Sequence, residues 1–83
     1  MILENEKQTI IKYLGKHPSR KIIPYLNSRK CFNSKGKPYS PKSIQNIING
    51  ETGNTVVETH IFQLVATEKK EAQKLENLKK QAL

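Results

Sequence analysis

The chain has 83 residues, 15 Lys and Arg against 7 Asp and Glu, a formal net charge of +8 and a single Cys. That length gives one small domain with a thin core; one Cys excludes an internal disulfide and no Cys/His cluster has metal-ligand spacing, which leaves oligomerisation as the expected supplement to stability. No stretch is long and apolar enough to span a membrane, the N-terminus lacks the charged start and apolar run of a signal peptide, and a lone Cys31 fits a reducing compartment, so the expectation is a cytoplasmic protein.

In chain order, residues 4–14 predict a first helix. Leu3, Ile10, Ile11 and Leu14 fall at helical spacing, Gly15 stops it, and Glu4 and Glu6 near the start with Lys12 and Lys16 near the end suit the helix dipole. Residues 19–29 predict a second, short helix capped by Ser19, with Ile22, Ile23 and Leu26 as its apolar stripe. Pro24 falls inside that span, where a proline loses a hydrogen bond and crowds the preceding turn, so either the helix starts near Pro24 or its first turn is irregular. Residues 30–39, KCFNSKGKPY, predict a loop or a short hairpin at 31–39, since Asn33, Ser34, Gly36 and Pro38 are turn formers. In the hairpin form Phe32 and Tyr39 pack across the two arms, and Lys30, Lys35 and Lys37 stand at the tip.

Residues 40–49, SPKSIQNIIN, carry the clearest helix signals. Ser40 is an N-cap, Pro41 takes the first helical position, Ile44, Ile47 and Ile48 form one apolar stripe, and Gly50 follows as the left-handed stop. After a turn at 51–54, a last helix begins near Asn54 or Thr55 and runs to about Gln81, with Asn54, Thr55 and Glu58 offering forms of a capping box. Val57, Ile61, Leu64 and Val65 are its core stripe; from Thr67 it is mostly charged, with Ala72, Leu75, Leu78 and Leu83 as sparse apolar positions. This divides the chain into a domain at 1–66 and a charged helical extension at 67–83. The extension is either a solvated helix or half of a homodimer formed through residues 57–82, where Ile61, Glu68, Leu75 and Ala82 fall seven apart and Glu68 and Glu71 interrupt the seam. The fold expected is all-α: a helix-turn-helix core of three to four helices with a long C-terminal helix.

The charge is concentrated. Residues 17–50 carry Arg20, Lys21, Arg29, Lys30, Lys35, Lys37 and Lys42 with no acid, a net of +7, while residues 51–83 balance five Lys against five Glu. Such a local field attracts polyanions. With Ile44, Ile47 and Ile48 turned inward, the third helix must turn Lys42, Ser43, Gln45, Asn46 and Asn49 outward. None is acidic, and all are side chains that read base edges: Gln and Asn pair with adenine, Lys reaches guanine, Ser serves either. Around them Arg20, Lys21, Lys35 and Lys37 are placed to neutralise phosphates, Ser40 at the helix start suits a phosphate, and Thr52, Asn54 and Thr55 offer hydrogen bonds to the nucleic-acid backbone.

The segment SPKSIQNIINGETGN resembles the recognition helix and following turn of phage-repressor-type helix-turn-helix proteins. It has the polar start, the core residue Ile44, the variable polar pair Gln45 and Asn46, the apolar pair Ile47 and Ile48, then Asn49-Gly50. The longer stretch LNSRKCFNSKGKPYSPKSIQNIIN is similar to the helix-turn-helix stretch in the DNA-binding region of large serine recombinases, with its Leu-Asn helix end, Gly-Lys-Pro-aromatic-Ser run and apolar-spaced helix. These resemblances imply a DNA-binding tri-helical core in which Lys42, Ser43, Gln45 and Asn46 face bases. The connection over residues 30–39 is longer than the tight turn of a phage repressor and has room for a small wing. A recombinase catalytic domain does not fit in this chain, so that activity is not carried over.

Other residues read as structural. Cys31 beside Phe32 is expected as a small packed hydrophobe, His17 as surface, Tyr13 and Tyr25 as core or rim aromatics, and Gly36-Lys37 lacks the rest of a phosphate loop. No catalytic residue, metal ligand or cofactor site is expected. The function expected is sequence-specific binding of double-stranded DNA, as a transcriptional regulator or mobile-element accessory protein of prokaryotic or phage type. The alternatives are a protein-interaction adaptor that uses the C-terminal amphipathic helix, and an RNA-binding module, which the lack of aromatic platforms on the third helix disfavours.

Overall fold

The computed structural model describes residues 1–82, in which four helices follow one another: α1 (Glu4–Leu14), α2 (Ser19–Ser28), α3 (Pro41–Ile48) and α4 (Thr55–Ala82). No strand occurs among the described residues, and the architecture is all-helical with a long last helix, as the sequence leads one to expect.

The short α3 starts and stops where its caps are. Ser40 Oγ accepts the N–H of Ser43 at 3.2 Å, and Pro41 follows at a position whose N–H would have no partner in the helix. At the other end Gly50 stands at φ +80°; its N–H donates to the Ile47 carbonyl and the N–H of Glu51 donates to that of Asn46, the double closure that ends a helix on a left-handed residue. A Cβ at Gly50 would also meet the carbonyl oxygen of Ile2 at 2.9 Å, so both the dihedral and the space require glycine. α4 opens on a reciprocal cap, in which Asn54 Oδ1 accepts the N–H of Val57 at 3.1 Å and Glu58 Oε2 accepts that of Asn54 at 2.9 Å.

α2 departs from expectation at its start. Pro18, fully buried and already helical at φ −61°, holds the cap position, and Ser19 is the first helical residue rather than the cap. The first turn is tight, with Arg20 N–H donating to the His17 carbonyl and Lys21 N–H to that of Pro18. The helix then continues through Pro24. Pro24 and Arg20 are both exposed, opposite buried Ile22 and Leu26, so the Arg20 carbonyl that Pro24 cannot serve lies on the water side. After Ser28 the chain closes as it does after α3, with Lys30 (φ +55°) in the left-handed place, its N–H on the Asn27 carbonyl and the N–H of Cys31 on that of Leu26.

Ile10 and Leu14 of α1, Ile22 and Leu26 of α2, Ile44, Ile47 and Ile48 of α3, and Val57, Ile61 and Val65 of α4 form one core together with Ile2. α1 and α2 pack on α4, and α3 packs on α2. Ile2, 4 % exposed, enters the core where Leu3 was expected; Leu3 is 57 % exposed. The reason is that Leu3 is extended (φ −85°, ψ 162°), so helical spacing does not reach back to it. Beyond Val65 no side chain of α4 is buried, and residues 66–82 project from the core for ~25 Å at 1.5 Å per residue. Leu83, read above as an apolar position of the extension, lies outside the described residues. No helix among the described residues is long and apolar enough to cross a membrane.

Candidate nucleic-acid interface

With Ile44, Ile47 and Ile48 buried, the 100° step of the helix puts Lys42, Asn46 and Asn49 on the opposite face of α3, Gln45 on one flank and Ser43 on the other. Lys42, Ser43 and Asn49 are exposed, and Gln45 and Asn46 are half-buried. Gln45 Nε2 donates to Asn49 Oδ1 at 3.1 Å, one turn on. That bond holds the two amides side by side and leaves the Gln45 carbonyl oxygen and the Asn49 amino group outside it. Ser40 turns back on its own helix: its Oγ, besides capping Ser43, donates to Ser43 Oγ at 3.0 Å.

The residues expected at phosphates divide into groups. Arg20 lines, with Ser19, Ile23, Pro24 and Pro41, a shallow apolar recess of about 230 Å³ between the starts of α2 and α3, which brings its guanidinium stem beside the first turn of α3. Lys21 is exposed one residue on, 100° around α2, on the flank that carries Tyr25 towards α4. There Tyr25 OH donates to Gln63 Oε1 at 3.4 Å, its ring meets His60 edge-on, and Arg29 lies 4.5 Å over its centre. Thr52 is exposed, with its N–H on the Asn46 carbonyl at 3.4 Å, and Thr55 is exposed at the first residue of α4.

Lys35 and Lys37 are exposed on a turn, not a hairpin of strands. Asn33 organises it: its N–H donates to the Lys37 carbonyl at 2.8 Å, its carbonyl accepts the N–H of Gly36, and its Oδ1 accepts the N–H groups of both Lys35 and Lys37, at 2.9 and 3.0 Å. A side-chain amide that closes its own turn is a local alternative to strand pairing. Phe32 is exposed, whereas Tyr39 packs on the core, so the two rings do not share one role. The Tyr39 hydroxyl accepts a hydrogen bond from Asn54 Nδ2 at 3.3 Å. Asn54 therefore commits its oxygen to the cap of α4 and its amino group to the segment before α3, and it acts as a junction rather than an outward donor.

Glu58, in the first turn of α4, is engaged with both the cap and the amino terminus. Met1's amino group sits 2.9 Å from Glu58 Oε1. The hydrogen bond from that amine, the N–H of Asn54 and the amine's charge hold the Glu58 carboxyl below the usual carboxylate range, against burial, which pushes it up. The cap formed by Asn54 and Glu58 is the one the sequence offered; the pairing of Glu58 with the Met1 amine and the closure of the turn by the Asn33 side chain were not assigned from sequence, and an Asn two residues before Lys35-Gly36 is the signal for the second. Cys31 is half-buried against the core, and no group of three or more His, Cys, Asp or Glu among the described residues is placed to hold a metal ion. The chain matches no protein-family model, no curated protein and no solved structure.

Proposed function

We infer that the chain binds double-stranded DNA by laying α3 in the major groove. The observation that carries this reading is the outward face of α3: Lys42, Gln45, Asn46 and Asn49 side by side, without an acid, within a stretch of net charge +7. Amides paired as Gln45 and Asn49 are preorganised to meet a base edge, and Lys42 reaches a purine acceptor or a phosphate. Arg20 beside the start of α3, Lys35 and Lys37 on the Asn33 turn, and Thr52 and Thr55 supply the contacts that set register. Lys21 on the α4 flank adds long-range attraction. The resemblance of residues 26–54 to helix-turn-helix segments supports a role as a cytoplasmic transcriptional regulator or mobile-element accessory protein.

Fluorescence anisotropy with random-sequence duplex DNA tests this. With about six phosphates neutralised, affinity falls with a slope near −5 in log salt, on the order of a thousandfold between about 50 and 200 mM. The Lys42→Glu/Asn46→Ala double variant, at one exposed and one half-buried position outside the core, binds about a hundredfold more weakly while keeping its helical content. Absence of binding at the lowest salt, or preference for a structured RNA competitor, overturns the reading.

A further inference from the structure

The line of α4 that faces the core continues past it. Val57, Ile61 and Val65 lie on that line; extended by alternating steps of three and four it passes Glu68, Ala72, Leu75, Lys79 and Ala82, with Leu78 beside it. Leu75 is 55 % exposed and Leu78 52 %, on a helix that projects from the core for its last seventeen residues, 66–82. We propose that this line pairs with the same line of a second copy, antiparallel, about a two-fold axis between Gln73 and Lys74.

Charge decides both the occupant and the direction. In a parallel pair equal positions meet, so Glu68 faces Glu68, Lys79 faces Lys79, and Glu71 faces Glu76 across the flank, all of them repulsive. In the antiparallel pair Glu68 of each copy meets Lys79 of the other, Ala72 meets Leu75 twice, small against large, and flanking Lys69 reaches Glu76 on both sides. A seam that repels itself in one direction complements itself in the other. The overlap is confined to residues 68–79, because at Val65 the line is already covered by the chain's own core. That is ~18 Å of paired helix, less than a standard stable interface, so the dimer is weak and reversible.

The pairing stands on α4 alone; its use rests on the DNA reading. With the axis between Gln73 and Lys74, the two Ile61 positions lie ~38 Å apart along the paired helices at 1.5 Å per residue, so each core carries its own α3 clear of the other copy.

Sedimentation velocity of the full chain over a concentration series, without DNA, decides the matter independently of any nucleic-acid result. The expected outcome is a reversible monomer–dimer equilibrium. Glu68→Lys and Lys79→Glu each weaken association about tenfold, because two symmetry-related pairs turn from attraction to repulsion, and the Glu68→Lys/Lys79→Glu double variant restores it. Leu75→Glu, on an exposed position whose change leaves the thermal unfolding of the core intact, abolishes it. A monomer at millimolar concentration overturns the proposal. So do single charge variants that associate like the parent, as a parallel pair requires, and a double variant that fails to recover.

Discussion

α3 and the free half of α4 are both polar helical surfaces in contact with water, yet they are built on opposite plans. The outward face of α3 carries amides and one Lys with no acid, on a helix whose other face is entirely buried. Residues 66–82 interleave Glu68, Glu71 and Glu76 with five Lys, and all of them but half-buried Glu68 are exposed. On α4, Glu71 with Lys74 and Glu76 with Lys79 and Lys80 stand at the three- and four-residue spacings at which opposite charges support a helix. The free half of α4 thus answers much of its charge locally, with three Glu among five Lys, whereas α3 holds its shape through caps and core and keeps Lys42 on its outward face with no acid on the same helix. Both regions are polar; what separates them is whether acids stand among the bases.

The largest test of this contrast is on stability. Ile48→Ala, at a fully buried position, should destabilise the protein by about 3 kcal/mol in urea unfolding, a large part of what a domain of this size has. Leu75→Ala, measured at a concentration where the chain is monomeric, should change it by less than about 0.5 kcal/mol. Equal losses would mean that the projecting half belongs to the folded core. Next comes binding: Lys42→Glu should lower affinity for duplex DNA about thirtyfold, while Lys80→Glu, one turn from Glu76 on α4, changes it less than about twofold at 0.1 M salt, where the screening length is ~10 Å. Equal effects at the two lysines would show that net charge alone, not α3, is being read. The smallest effect is in acid. Since the folded Glu58 carboxyl lies below its unfolded value, its contribution is present above the ordinary carboxylate range and is lost as pH falls through the folded value. Unfolding free energies taken near neutrality and at strongly acid pH should therefore converge in Glu58→Gln and stay apart in Glu71→Gln.

The parts of the fold that were legible in sequence are those in which the chain signals to itself within a few residues. Ser40-Pro41 before the isoleucine stripe, Gly50 after it, and Asn54 with Glu58 bound α3 and the start of α4 in sequence as they do in the structure. The start of α2 was less clear because Pro24 left its first turn open, and buried Pro18 stands at the cap where Ser19 is the residue expected. Ile2 was missed because an extended residue ahead of a helix belongs to no periodic pattern. Among the site residues, the outward set on α3 follows from the stripe alone. The second use of Asn54, on Tyr39, depends on a contact across fifteen positions that local spacing does not encode.

Lys30 also bears on how this surface is open to change. A left-handed lysine costs roughly 1 kcal/mol that glycine would not, in a domain with little stability to spare, and what it provides in return is a cation shortly before the Asn33 turn that leads to α3. Replacement by glycine would make a sturdier protein with a weaker field. Position 30 is thus a place where selection for endurance and selection for attraction pull in opposite directions, and under demand for heat resistance it is where this basic surface would first be expected to lose a charge.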